Sequence, residues 1–107
     1  MHIFDLTTET YSEADVSGTK PPPMYWHTAT IVNENGSMLV FGGEYNYEGD
    51  AYSLDLTSMN WSSIDNVQYM RYEHSADLIG NSIYLFGGFY RGSKNDIYQY
   101  DLDNKIL

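Results

Sequence analysis

The stretch "SMLVFGGEYNYEGDAYSLDL", Ser37 to Leu56, runs from an apolar segment into two consecutive glycines, through an aromatic and acidic loop, and out along a segment ending in Asp-Leu. The same design returns as "SIYLFGGFYRGSKNDIYQYDL", Ser82 to Leu102. Upstream, "HTATIVNENGSMLVFGG" (His27 to Gly43) aligns with "HSADLIGNSIYLFGG" (His74 to Gly88) once two extra residues are allowed in the Asn-Glu-Asn-Gly turn. Downstream, Asp50-Ala51-Tyr52 falls on Asp96-Ile97-Tyr98 and Asp55-Leu56 on Asp101-Leu102, 46 residues apart. The N-terminal "HIFDLTTETY" superposes on "YSLDLTSMNW", with Asp5 over Asp55 and Tyr11 over Trp61 at a spacing of 50. A period of this size marks stacked copies of one supersecondary unit, none of which buries its apolar surface alone.

Each unit reads as four short strands, a to d, set off by turn residues. Strand a is Thr28 to Val32 and Ser75 to Ile79, followed by hairpin turns at Asn33 to Gly36 and Gly80-Asn81. Strand b, Met38 to Phe41 and Ile83 to Phe86, is apolar at every position, the pattern of a strand covered on both faces. Strand c alternates, with Tyr52, Leu54 and Leu56, or Tyr98, Tyr100 and Leu102, directed to one face. Strand d begins with Trp61, whose side chain is expected to fill the gap between adjacent sheets. The glycine pairs suit a backbone at positive φ or the close approach of a neighbouring chain segment.

The diglycine after an apolar strand, the Tyr two residues after Asp, the Asp-Leu pair and the Trp six residues beyond that Asp together resemble the kelch repeat, whose period is about 50 residues. "YWHTA" and "YEHSA" resemble the opening of kelch units in proteins of the host-cell-factor and Rab9-effector type. The pattern departs from the family at Leu107 and Tyr11, which stand where a tryptophan is expected, and at His2, which takes the Tyr52 position. The resemblance implies an all-β fold: kelch-type β-propeller blades of four antiparallel strands each, in an incomplete ring. Residues 1–16 supply strands c and d of one blade, 26–65 a full blade, and 73–107 most of the next. A closed ring of such blades takes roughly 250 to 350 residues. The chain is therefore expected to be part of a longer propeller or to assemble with copies of itself.

Composition narrows the function. A chain of 107 residues with 42% hydrophobic and 19% charged residues is globular in character. Its net charge of −10 repels phosphate backbones and anionic bilayers, so neither nucleic acid nor membrane is an expected partner. No cysteine is present, which excludes disulfides and thiolate metal sites. The N-terminal "MHIFDLTTET" lacks the basic and apolar regions of a signal peptide, and the expected location is cytoplasmic or nuclear. The glycosylation motifs Asn35-Gly36-Ser37 and Asn60-Trp61-Ser62 are accordingly read as chance.

No enzymatic chemistry is expected: no catalytic residues, no metal ligands and no cofactor. His27 and His74 recur at equivalent positions before strand a, which marks a hydrogen-bonded packing role. Galactose-oxidase-like propellers use a cysteine that this chain lacks. Nitrile-specifier-like propellers carry Glu, Asp and His at four-residue intervals, and here Glu73 and Asp77 keep the interval while Asn81 replaces the His. The alternative to a binding module is thus a propeller fragment of an enzyme or a metal-dependent specifier protein.

Recognition in a propeller falls to its loops, because the strand ladders are occupied by packing. The d–a and b–c loops share one end: Ala14 to Trp26, Glu44 to Gly49, Asn66 to Tyr72 and Phe89 to Asn95. About half of the loop rings are expected to pack inward against the next blade, Trp26 and Tyr72 first among them because they border strand a. Tyr45, Tyr47, Arg71, Tyr90, Arg91 and Lys94 are the candidate partner-binding residues, since aromatic tips beside arginines are what protein-binding hot spots consist of. The expected partner is a protein or peptide, with an acidic or phosphorylated segment laid across Arg71, Arg91 and Lys94 and anchored on Tyr90.

Overall fold

The computed structural model describes residues 1–32, 36–43, 51–64 and 71–103. Ten strands and no helix make up these residues. β1 (His2–Asp5) and β2 (Thr10–Glu13) form an antiparallel hairpin in the register His2↔Glu13 to Asp5↔Thr10. The Asp5 carboxylate accepts the amide protons of Thr7 at 2.8 Å and Thr8 at 3.1 Å, and Glu9 closes the turn at φ 54°. Asp55 does the same with Thr57 at 2.8 Å and Ser58 at 3.1 Å, and Met59 takes φ 58°. Those amide hydrogen bonds hold both carboxyls below the usual aspartate range. The recurring Asp of the Asp-Leu pair is therefore a turn-closing residue, since its short side chain replaces backbone acceptors that a tight c–d turn lacks.

The central sheet contains β4 (Thr28–Val32), β5 (Ser37–Phe41), β6 (Ala51–Asp55) and β7 (Asn60–Ile64), each antiparallel to the next. These are the four expected strands a to d. The sheet gains a fifth member that the sequence pattern did not announce. β3 (Ser17–Gly18) lies parallel to β7, in the stretch read as a plain loop. It is held by Ser17 N–H to the Met59 carbonyl at 3.2 Å and Thr19 N–H to the Trp61 carbonyl at 3.0 Å. A two-residue strand has no periodicity to detect. Its value is that it covers the outer edge of β7, which otherwise presents unpaired backbone groups. The third sheet is β8 (Ser75–Ile79), β9 (Ser82–Phe86) and β10 (Ile97–Asp101), in the order β10-β9-β8.

Strand b of the central sheet is covered on both faces, as its unbroken apolar run requires. Leu39 and Phe41 point into a cluster with Val32, Ala51, Ile83, Leu85 and Tyr100 that joins the central and third sheets. Phe41 and Tyr100 meet there edge to face, with ring centroids 5.3 Å apart. Val40 points the other way, into a cluster with Tyr52, Leu54 and Trp61 over which Val16, Met24, Met38 and Met59 close. The outer face of the third sheet leaves Ile79, Phe86 and Ile97 exposed. Among the described residues no closed ring is formed, and the arrangement is that of a partial propeller.

The diglycine serves this stacking. Gly42 has φ 69°, and a Cβ built on it would collide with the carbonyl oxygen of Arg71, which belongs to the next unit. Gly43 N–H donates to that same carbonyl at 3.1 Å. The second glycine of the later pair, Gly88, makes room within its own unit: a Cβ there would sit 2.5 Å from the Tyr72 carbonyl oxygen. One glycine thus admits the neighbouring unit's backbone and the other its own returning loop.

Candidate partner-binding face

The register fixes which loops share an end. Thr28 at the start of β4 pairs with Phe41 at the end of β5, and Ala51 at the start of β6 pairs with Ile64 at the end of β7. The d–a and b–c loops therefore emerge together. Among the described residues, Arg71, Arg91 and Lys94 lie at this end, and Lys20 belongs by sequence to the d–a loop. The opposite end, built of c–d and a–b turns, carries Asp5, Glu9, Asp55, Asp101 and Asp103 and no described Lys or Arg.

The candidate residues separate once placed. Tyr45 and Tyr47 lie outside the described residues. Phe89 to Lys94 make a narrow loop: Phe89 bridges both Tyr72 and Ser93, Tyr90 N–H donates to the Gly92 carbonyl at 3.0 Å, and Lys94 N–H donates to the Gly88 carbonyl at 2.8 Å. Arg91 at its tip is exposed, adopts φ 52°, and sets its guanidinium 5.4 Å from the centroid of the Tyr90 ring. Lys94 is half-buried at the loop's base.

Arg71 does not belong with them, contrary to the sequence expectation. Only 2% of it is exposed. Its guanidinium donates to the Gly87 carbonyl at 2.9 Å and to Asp96 Oδ1 at 2.5 Å, and lies 4.8 Å from the centroid of the Tyr98 ring. Arg71 is a strut joining the d–a loop, the diglycine and the start of strand c, and it holds the Asp96 carboxyl below its ordinary value. The sequence did contain a clue. Arg71 aligns with Met24, three residues before the equivalent histidine, and an apolar residue at one copy of a repeated position points to an interior site at the other. The Met24 sulfur approaches Gly43 as the Arg71 side chain approaches Gly87.

Trp26 packs against the next unit, as expected, but only half of it is buried. It sits at φ 62°, a backbone region that costs an L-residue roughly 1–2 kcal/mol, and it remains 50% exposed. Glu73, its equivalent in the next unit, has φ 55°, so the left-handed residue before the histidine belongs to the repeat; the Trp26 indole stacks on Tyr72 of the next unit with centroids 5.7 Å apart and planes 22° apart. Tyr25 meets Trp26 edge-on at 4.5 Å, and Tyr72 meets Phe89 at 5.4 Å. A row of four aromatic rings thus crosses the seam between two units and ends at the loop that carries Arg91.

Beneath this row the seam is polar. The His74 imidazole Nε2 is hydrogen-bonded to Thr28 Oγ1 at 2.8 Å, and Glu73 N–H donates to the Trp26 carbonyl at 3.0 Å. The packing role read from the recurrence of the histidines thus appears at His74 as a hydrogen bond between units. Burial pushes the His74 pKa down to about 4, assisted by the positive charge of Arg71. Because the folded state resists protonation at a pH where an unfolded histidine accepts it, stability is complete above about pH 6.5 and declines as the pH falls through about 4. Thermal melts between pH 7 and 4 check this. His74→Gln, which keeps a donor toward Thr28 but does not titrate, flattens the decline over that window.

Among the described residues, no three His, Asp or Glu side chains converge as a metal site, and no helix is long and apolar enough to cross a membrane. Comparison with known proteins adds the following. The family model described as the KLHDC2/KLHL20/DRC7 Kelch-repeats domain matches residues 1–106. Kelch domain-containing protein 3 of Rattus norvegicus is 33% identical over 95 residues, which cover 82% of this chain and 24% of that protein. Host cell factor 1 of Homo sapiens is 35% identical over 80 residues, 67% of this chain and 4% of that protein. Acyl-CoA-binding domain-containing protein 6 of Oryza sativa subsp. japonica is 42% identical over 59 residues, 53% of this chain and 9% of that protein. The chain spans 24% or less of the length of each of these relatives.

Proposed function

Since the chain belongs to the kelch-repeat family, we propose that it serves as a protein-interaction module, binding its partner through the d–a and b–c loops at one end of the propeller. The observation that carries this reading is the distribution of charge and aromatic surface. In a chain of net charge −10, Arg91 and Lys94 lie at the loop end near the exposed rings, while the turn end carries no described Lys or Arg. The partner presents an acidic segment to Arg91 and Lys94, with Tyr90 as the aromatic support beneath the guanidinium. Tyr45 and Tyr47, in the earlier b–c loop of the sequence, complete the proposed set. Arg71 contributes from below by fixing the base of the loop that carries Arg91. No reaction is proposed, and the cytoplasm or nucleus is the proposed location.

Charge at the rim of an interface acts mainly on the association rate. Reversing both Arg91 and Lys94 to Glu slows association by about tenfold at low salt and flattens its salt dependence. Surface plasmon resonance at two ionic strengths, with the partner recovered by affinity capture, measures both quantities. Unchanged kinetics in that variant, together with altered kinetics when Asp103 at the opposite end is reversed to Lys, overturns the choice of face.

A further inference from the structure

The third sheet repeats the central sheet, but its outer face lacks the cover that the central sheet has. Val32, Leu39, Phe41 and Ala51 of the central sheet are buried beneath Ile83, Leu85 and Tyr100 of the third. The repeat places Ile79, Tyr84, Phe86 and Ile97 at the same four positions of the third sheet. Phe41 is fully buried, whereas Phe86 is 50% exposed and Ile79 and Ile97 are 65% and 63% exposed. A contiguous apolar face of this kind marks a surface made for contact. Its polar fittings say with what. Between the two units, Gly42 admits the Arg71 carbonyl oxygen and Thr28 Oγ1 meets the His74 imidazole at 2.8 Å, so one unit receives a carbonyl and, three residues further on, a histidine. Gly87 and Ser75 hold these receiving places in the third unit. A Cβ built on Gly87 would meet only the Lys94 carbonyl oxygen of its own unit, at 3.5 Å, so the slot is open among the described residues.

The chain carries a second donor of the same form in Met24 and the exposed His27, equivalent to Arg71 and His74. On the face of the central sheet that corresponds to the covering face of the third, Ile31 and Leu56 are exposed. Within one chain Met24 lies against Gly43 of its own unit, so only another copy brings this donor to Gly87. We propose that the third sheet of one copy docks the central unit of a second copy, head to tail. The second copy covers Ile79, Phe86 and Ile97 with the face that carries its Ile31, sets its Met24 carbonyl over Gly87 and brings its His27 to Ser75. The contact reuses the interface already made between the central and third sheets. Because the presenting and accepting faces differ, copies add in one direction until a ring closes.

Sedimentation velocity of the full chain over a concentration series, with thermal melts of the same samples, tests this. The unaltered chain is expected to form species larger than a dimer as its concentration rises. Phe86→Glu spoils the accepting face and Ile31→Glu the presenting face, and each alone weakens self-association by about a hundredfold, because a carboxylate would be buried without a partner. Both sites are exposed within one chain, so the Tm of each variant at low concentration stays that of the unaltered chain. Mixed together, the two variants form a 1:1 complex and nothing larger, since one keeps a sound presenting face and the other a sound accepting face. Gly87→Ala also weakens association, because its methyl fills the slot that the second copy's carbonyl needs. An unaltered chain that stays monomeric throughout the series overturns the inference, and so does failure of the two variants to pair. Self-association kept by Ile31→Glu but lost by Phe86→Glu means that the third sheet docks on its own twin, which overturns the head-to-tail arrangement.

Discussion

Gly42→Ala destabilises the protein by on the order of 3 to 4 kcal/mol, far more than the same change at Gly80. Both glycines have positive φ, 69° at Gly42 and 60° at Gly80, so both pay the left-handed penalty of an L-residue. They differ in what surrounds the new methyl. At Gly80 nothing lies within 4 Å of it, and the loss stays at about 1 kcal/mol. At Gly42 the methyl meets the Arg71 carbonyl oxygen and lies 2.7 Å from His74 Cε1, so the next unit's loop has to withdraw. That withdrawal breaks the hydrogen bond from Gly43 N–H to Arg71 and pulls on the one between His74 and Thr28. Urea denaturation midpoints at constant m-value measure the two losses. Equal losses at the two positions mean that backbone conformation alone explains the diglycine and that close approach of the next unit does not.

Trp61→Ala costs on the order of 3 to 5 kcal/mol, because it empties a site enclosed by Val40, Tyr52 and Leu54 and roofed by Val16, Met24, Met38 and Met59. The matching change in the first hairpin, Tyr11→Ala, costs about 1 kcal/mol or less. Tyr11 occupies the same position in its hairpin but is 79% exposed and has Phe4 as its described aromatic neighbour, with ring centroids 4.7 Å apart. The pair of variants tests whether the position derives its weight from the residue or from the sheet it is stacked in. The same denaturant series decides it, and a Tyr11 loss as large as that of Trp61 refutes the second account.

Strand placement was legible in the sequence because strands signal through near-neighbour chemistry. The alternation in Tyr52-Ser53-Leu54 and the unbroken run Met38 to Phe41 each carry a period or a composition that belongs to one kind of strand environment. The repeat supplied the rest, since Asp5 and Asp55 close the same turn with the same amide hydrogen bonds. β3 was illegible for the opposite reason. Ser17-Gly18 forms a strand only because β7 happens to offer an edge there, and Gly18 is required because a Cβ would strike the Trp61 carbonyl oxygen.

The site was read less well, and the residues that moved show why. An arginine in a loop is exposed unless something specific receives it. What receives Arg71 is assembled from Gly87, Asp96 and the ring of Tyr98, which are 16 to 27 residues away along the chain. Trp26 reaches the next unit, as its place beside strand a suggests, yet half of it stays in solvent because Tyr72 covers one face of the indole. By itself, then, the sequence determined the repeat, the strands, the acidic surface and the end of the sheets from which the candidate loops emerge. All of these follow from covalent order and local periodicity. Which loop side chains turn inward as struts and which stay exposed was decided only by the tertiary structure. Burial of a polar or aromatic group depends on partners from neighbouring units, and no local pattern encodes whether those partners arrive.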